Sequence, residues 1–161
     1  MISDFTKAAD LLCGKEGVAS GICEVSVTFE SEDGIRELNA KYRGIDAATD
    51  VLSFPMYGSK AELLDEIETL TEEVDGADGS EMIDGPEGSE EAVISLGDVV
   101  ICTEIAKKQA AEYGHSEQRE MVYLFVHSLL HLFGYDHEDD GERAQMREAE
   151  EEIMQQIGLS R

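Results

Sequence analysis

The residues from Val126 to His137, VHSLLHLFGYDH, contain three of the four histidines of this 161-residue chain. His127 and His131 are four positions apart, so a helix would place both imidazoles on one face, where they could bind one metal ion. Gly134 follows an apolar run and suits a left-handed turn that ends the helix and brings His137 back as a third ligand. Three histidines without an evident fourth protein ligand are typical of a catalytic zinc site, which keeps one position open for water. We therefore predict one metal ion on His127, His131 and His137, with nickel, copper or cobalt as alternatives to zinc.

The residue after the first histidine argues against one class of zinc enzyme. Helical zinc peptidases carry a glutamate at that position as general base, whereas this chain carries Ser128. The alternative to metal binding is that the histidines are merely solvated or packed in the core. Three of them within eleven residues, at ligand spacing, favour a metal site.

The overall composition predicts one cytoplasmic domain over residues 1–161. This length suits a single core, and the hydrophobic content of 42% is ordinary for a globular protein. The longest apolar stretch, Met121 to Val126, is too short to span a bilayer, and the first residues do not resemble a secretion signal. Three cysteines without a CxxC pair fit reduced thiols rather than a disulfide framework.

The charge is strongly negative and unevenly distributed. The formal net charge is −25, and the segment from Tyr57 to Ala92 holds thirteen acidic residues against one basic residue, Lys60. Self-repulsion predicts a flexible acidic insertion at about 57–92, with a short exposed helix near Leu63 to Leu70 and a disordered remainder. An anionic substrate would have to meet local positive charge, from a metal ion or from placed lysines and arginines.

The pattern of apolar residues predicts an α+β fold. A small mixed sheet of three or four strands is expected to be packed by about five helices, with the histidine-bearing helix central and the metal at the mouth of a cleft. Pro55 should end an edge strand, and Ser31, Thr103 and the region of His115 should cap helices. The predicted strands are residues 22–29, 50–54 and 92–102, and the predicted helices are residues 4–15, 31–42, 103–113, 117–133 and 142–157.

Three blocks of the sequence resemble the YbeY family of bacterial ribosomal-RNA maturation factors. They are HSLLHLFGYDH at His127 to His137, LNAKYRGIDAATDVLSFP at Leu38 to Pro55, and LGDVVIC at Leu96 to Cys102. The chain departs from that family's usual pattern at Ser128, where glycine is usual, and in the length of the acidic segment. It also shows no counterpart of the usual short first strand, so either an edge strand is missing or the start of the sequence is misassigned.

The resemblance implies a zinc-dependent endoribonuclease that acts on single strands, with zinc on the three histidines and a functional arginine at Arg43. A guanidinium group presents a fork of donors that matches phosphoryl oxygens, although an arginine at a helix end is more often a surface cap or ion pair. Lys41 is a weaker candidate for the same role beside Arg43. Asp136 could orient an imidazole or cap the turn. For three other residues in these blocks we expect only turn and strand-end hydrogen bonds: Asp50, Ser53 and Asp98.

The resemblance also implies a cytoplasmic role in ribosomal-RNA maturation at the 3′ end of 16S RNA and in ribosome quality control. The implied partners are ribosomal RNA, small-subunit precursors, and ribosomal proteins or assembly factors. Two alternatives stay open. One is a zinc-containing assembly factor that cuts nothing, which the acidic composition favours, and the other is a metallohydrolase of a different substrate, such as peptides or small phosphoesters.

Overall fold

The computed structural model describes residues 1–19, 21–75, 93–136 and 139–159. These residues form three strands and six helices. In chain order the elements are α1 (Ile2–Lys15), β1 (Cys23–Glu30), α2 (Glu32–Arg43), β2 (Val51–Pro55), α3 (Lys60–Asp75), β3 (Ile94–Cys102), α4 (Thr103–Tyr113), α5 (Glu117–Leu132) and α6 (Asp140–Gln156).

The three strands form one mixed sheet in the order β1-β3-β2. β3 lies in the middle, parallel to β1 and antiparallel to β2, and its Val99 is opposite Val27 on one side and Ser53 on the other. β2 is therefore an edge strand, and it ends at Pro55 as the sequence predicts, since proline cannot donate a hydrogen bond to a further partner.

Alternation along β3 divides the apolar residues between the two faces of the sheet. Val99 and Ile101 belong to the larger core on the side of α5, whereas Val100 and Cys102 belong to a smaller core on the side of α2. Successive side chains of a strand point to opposite faces, so a strand covered on both sides is apolar almost throughout. This placement leaves α2 and α5 on opposite faces of the sheet.

Helix α5 is the central helix of the larger core. It begins at its N-cap Ser116, whose side chain accepts a hydrogen bond from the backbone N–H of Arg119. Ten of its residues are buried, and it contacts α1, α4, α6, β2 and β3. A helix that is apolar around most of its circumference is held in place from several sides, which gives the histidines near its end a rigid base.

The structure confirms the predicted α+β class and the small mixed sheet, and it corrects two local expectations. Helix α3 is longer than the short exposed helix predicted in the acidic segment, and its Leu63 and Ile67 are buried at 0% and 7% exposure. Thr103 does not cap α4; it is the first residue of that helix, and the cap position is Cys102. The predicted disordered remainder, residues 76–92, lies outside the described residues.

None of the helices in the described parts of the chain combines the length and the apolar character needed to cross a membrane.

Candidate metal centre

Helix α5 brings the first two predicted ligands together. His127 and His131 lie one turn apart, and their Nε2 atoms are 3.2 Å from each other. Two nitrogen ligands of one tetrahedral zinc ion, each about 2.0 to 2.1 Å from the metal, would be about 3.3 Å apart. Both side chains are half-buried. The spacing and direction of the two rings therefore fit a shared ion without rearrangement of the helix.

Hydrogen bonds at the other nitrogen of each ring fix which atoms face the shared position. His127 Nδ1 lies 2.7 Å from Glu150 Oε1, and His131 Nδ1 lies 2.9 Å from the backbone oxygen of Tyr135. A carboxylate and a carbonyl can only accept, so each ring donates through Nδ1–H, and a ring that carries no second proton directs the lone pair of Nε2 at the other ring. Two lone pairs at this distance repel unless they share a cation. The arrangement is the one found where histidine binds a metal.

Glu150 is held in place from a second direction. It lies on α6 and is 6% exposed, and its Oε2 accepts a hydrogen bond of 3.1 Å from the hydroxyl of Tyr123 on α5. Burial, together with the neighbouring Glu150, raises the pKa of Tyr123 to about 12. The hydroxyl group is therefore protonated at neutral pH and available as a donor. Each oxygen of the Glu150 carboxylate thus has a fixed partner.

The loop after α5 returns the chain toward His131. Gly134 has a φ of +80°, its N–H donates to the oxygen of His131 at 2.9 Å, and the N–H of Tyr135 donates to the oxygen of Leu130 at 3.0 Å. This turn places the carbonyl of Tyr135 against His131 Nδ1. The third predicted ligand, His137, lies outside the described residues. Within the described ranges, no group of three or more histidine, cysteine or acidic side chains is placed to hold a metal.

Two residues distant in sequence hold the side chain of Tyr135. Its hydroxyl donates to Glu16 Oε1 at 2.5 Å, and Lys60 Nζ lies 2.5 Å from Glu16 Oε2 and 4.8 Å from the centre of the tyrosine ring. Burial and the hydrogen bond to Glu16 raise the pKa of Tyr135, so the hydroxyl keeps its proton. The C-terminal end of α1 and the N-terminal end of α3 therefore meet at the loop that orients His131.

Ser128, the residue after the first histidine, has no access to solvent. It is fully buried, and within the described residues its hydroxyl has no hydrogen-bond partner. A small residue is needed where the helix packs this closely, and a glutamate would not fit without displacing neighbours. The structure thus gives a packing reason for the absence of the glutamate that helical zinc peptidases use.

Arg43 is the last residue of α2, and its side chain is exposed. Helix α2 packs on the sheet face opposite α5, next to the edge strand β2. Lys41 is exposed beside it, with Nζ 4.8 Å from the centre of the Tyr42 ring. The structure therefore brings together His127 and His131, but no contact in the described residues joins Arg43 to them.

The remaining candidates of the sequence analysis have structural contacts or exposed positions. Asp50 accepts hydrogen bonds from Thr49, the N–H of Val51 and Gln109, in agreement with its predicted strand-end role. His115 lies before the N-cap of α5, with Nε2 3.0 Å from Glu120 Oε2. A further three residues lie in β2, in β3 and in the loop after α5: Ser53, Asp98 and Asp136.

Glu150 is the site residue that sequence reasoning missed. The sequence analysis assigned no residue of the last helix to the site, whereas Glu150 is buried and contacts His127. A signal was present, because Glu150 follows Met146 by four positions and precedes Ile153 by three, which is the spacing of the buried face. A glutamate on such a face needs a partner, and the structure supplies His127 and Tyr123.

Replacing Gly134 with alanine is expected to destabilise the metal-free protein by about 2 kcal/mol and to weaken zinc binding. The φ of +80° is unfavourable for alanine, and its Cβ would lie 2.7 Å from the backbone nitrogen of Lys60. The matched control is Gly44→Ala, which has a φ of +71° and nothing within 4 Å of the added Cβ. It should cost about 1 kcal/mol and leave zinc binding unchanged. Urea unfolding and competition with a chelator measure the two effects, and equal losses in both variants would contradict the assignment.

Comparison with known proteins agrees with the sequence blocks described above. The family model described as "Endoribonuclease YbeY" matches residues 1–158. A curated protein of that name from Caldanaerobacter subterraneus subsp. tengcongensis is 49% identical over 138 residues, which cover 86% of this chain and 76% of the relative. Another of that name, from Pelotomaculum thermopropionicum, is 44% identical over 156 residues, which cover 97% and 86%.

The fold also has a counterpart among solved structures. The solution structure of TM1509 from Thermotoga maritima aligns with a TM-score of 0.53 and 23% identity, over 96% of this chain and 82% of that chain. At this level of identity the likeness concerns the fold alone.

Proposed function

The chain belongs to the endoribonuclease YbeY family and is therefore a hydrolase of RNA phosphodiester bonds, and we propose that it cuts single-stranded RNA with one zinc ion held by His127, His131 and His137. The observation that carries the proposal is the convergence of two Nε2 atoms at 3.2 Å while a carboxylate and a carbonyl occupy both Nδ1 atoms. Two imidazoles arranged in this way are suited to bind one metal ion, which supports the proposal.

In this proposal each residue of the site has a separate role. The three histidines hold the ion, while Glu150 and the carbonyl of Tyr135 keep two of them in the tautomer that binds metal. The bound ion would supply Lewis acidity toward a phosphate oxygen and would activate water as a nucleophile. Arg43, at the exposed end of α2, would bind the phosphate through its guanidinium donors.

The proposed substrates follow from the family and from the charge of the chain. Processing of ribosomal RNA is the role that the family supports. We propose small-subunit precursors as the particles bound, the 3′ end of 16S RNA as the region cut, the cytoplasm as the location, and ribosome quality control as a further role. With a net charge of −25, the protein would repel free RNA at low salt, so basic ribosomal proteins or assembly factors would help to bring the substrate to it.

One observation favours a second candidate function. The same acidic composition suits a protein that binds basic ribosomal proteins and assists assembly without cutting RNA. In that case the zinc ion would stabilise the fold and take no part in chemistry. The alternative function, a metallohydrolase that acts on peptides, has less support, because the fully buried Ser128 occupies the position of the peptidase glutamate.

The deciding experiment combines elemental analysis with an RNA cleavage assay. About one zinc ion per chain is expected in purified protein, together with metal-dependent cleavage of a single-stranded ribosomal RNA fragment, alone or in a precursor particle. Removal of zinc by a chelator should stop cleavage, and readdition should restore it. Protein that holds zinc and binds ribosomal particles but never cuts RNA would favour the assembly factor instead.

Replacing Arg43 with alanine is expected to lower kcat/KM for RNA about tenfold and to leave the zinc content unchanged, because the side chain would bind a phosphate and not the metal. Arg43→Lys should recover part of the loss, since a lysine keeps the charge without the fork of donors. The control is Arg36→Ala on the same helix, where the guanidinium group already pairs with Asp46 through bonds of 2.7 and 3.0 Å. An equal loss in both variants would argue against a specific role for Arg43.

A further inference from the structure

An exposed aromatic and basic patch lies where the end of α2 meets the edge strand β2. We call it the Tyr42 patch and define it by Lys41, Tyr42, Arg43, Phe54 and Met56. Tyr42 is 58% exposed and Met56 is 62% exposed. The ring of Tyr42 contacts that of Phe54 edge-on, with centroids 5.2 Å apart. Such a group of apolar surface next to two cations is unusual on a chain of net charge −25.

The patch holds two basic residues, and acidic residues border it: Glu37 and Asp46 in the sequence, and the exposed Asp98, which is paired with Phe54 across β2 and β3. The segment LNAKYRGI, Leu38 to Ile45, contains two basic residues and no acidic one, although acidic residues outnumber basic ones by 37 to 12 overall. Lysine and arginine in the last turn of a helix also complement its dipole. That effect accounts for Lys41 and Arg43, but it does not account for a large aromatic ring left in solvent between them.

The patch is continuous with the candidate metal centre through β2 and the residues after it. Phe54 lies in the edge strand, Met56 donates its N–H to the oxygen of Leu96, and four residues later the backbone of Lys60 lies against Gly134. Gly134 is in the loop that orients His131. A strand of RNA that lies along this edge could therefore reach both the patch and the metal centre.

We propose that Tyr42, supported by Phe54, stacks on an unpaired base of the RNA substrate next to the phosphate bound by Arg43. This inference rests on the proposed function and names how the same site recognises a single strand. Stacking on an aromatic ring requires a base that is free of its neighbours, as in single strands, loops and ends. Lys41 now lies over the ring, and its flexible stem allows the ammonium group to move to a phosphate when a base takes its place.

A direct test uses the absence of tryptophan from this chain. The variant Tyr42→Trp keeps a stacking ring and carries the only tryptophan, so quenching of its fluorescence by a short single-stranded RNA reports contact at this position. The matched control is Tyr113→Trp, at another helix end before a left-handed glycine, where the tyrosine is 67% exposed. Quenching is expected for Tyr42→Trp and not for Tyr113→Trp, and a duplex RNA should quench much less.

Binding and kinetics give the second readout. Tyr42→Ala should weaken single-strand binding and raise KM about tenfold, with kcat and zinc content little changed. Tyr42→Phe should behave as wild type, and Tyr113→Ala should have no effect. If wild-type protein cuts RNA but Tyr42→Trp is not quenched and Tyr42→Ala binds normally, the inference is overturned while the proposed function stands. Quenching by a basic ribosomal protein and not by RNA would also overturn it, in favour of a protein partner.

Discussion

The variant His131→Ala is expected to purify as a folded protein without zinc and to lose RNA cleavage by about 1000-fold. The reason is that His131 supplies one of two Nε2 atoms that converge at 3.2 Å, so its removal leaves His127 without the partner that makes the position attractive to a cation. Metal ions contribute several kcal/mol to such reactions, and each 1.4 kcal/mol corresponds to about tenfold in rate. Elemental analysis, circular dichroism and the cleavage assay measure the three effects.

The matched control is His115→Ala. His115 lies just before the same helix, but its contact is with Glu120, 3.0 Å away, at the end opposite the histidine pair. This variant should retain zinc and cleavage. An unfolded His131→Ala protein would point to a structural metal ion and to the assembly-factor function. A folded, zinc-free variant that still cuts RNA would remove the metal from the proposed reaction.

The histidine pair could be predicted from sequence because its geometry is local. Residues four apart on a helix meet regardless of what the helix packs against, so the placement of His127 and His131 needed only the prediction of that helix. The turn at Gly134 was predictable for the same reason, since a glycine after an apolar helical run marks a helix end.

The partners of the two rings could not be predicted in the same way. Glu150 is 23 positions from His127, and Glu16 is 119 positions from Tyr135. The spacing of Glu150 indicates that it is buried, but the residue that it contacts depends on how α6 packs around α5, and a local pattern does not determine that packing. Helix α3 was predicted as shorter and exposed for a related reason: the high acidic content of the segment favoured a solvated helix, whereas the larger core buries its Leu63 and Ile67.

These distant contacts explain how the fold makes the candidate metal centre rigid. His127 is fixed through Glu150 on α6, and His131 is fixed through the loop residue Tyr135, which Glu16 and Lys60 hold. Ligands that are already oriented lose little entropy when an ion binds, which favours affinity. The overall negative charge of the chain also favours binding of a cation. The same charge opposes binding of RNA, so local residues such as Arg43 must attract the substrate.

The variant Glu150→Ala, which keeps all three proposed histidine ligands, is expected to bind zinc about 100-fold more weakly than the wild type. Loss of the residue that hydrogen-bonds to a metal-binding histidine typically lowers metal affinity about 10- to 100-fold. The larger value is expected here because Glu150 is buried and its other oxygen accepts a hydrogen bond from Tyr123. Without the carboxylate, either nitrogen of His127 can carry the proton, so the ring loses its preferred tautomer and its fixed direction.

Three comparisons separate this orienting role from a general effect of the substitution. Glu151→Ala removes the neighbouring glutamate, which is exposed, and should not change zinc affinity. Glu150→Gln keeps an oxygen that can accept from Nδ1–H and should lose less affinity than Glu150→Ala. Tyr123→Phe removes only the hydrogen bond that supports Glu150 and should have the smallest effect of the variants that touch the site.

Chelator competition measures the zinc affinity of each variant, and thermal unfolding of the metal-free proteins identifies any loss of affinity that comes from the fold. If Glu150→Ala binds zinc as tightly as Glu151→Ala, the hydrogen bond from His127 is a packing feature and the metal centre depends on the histidines alone.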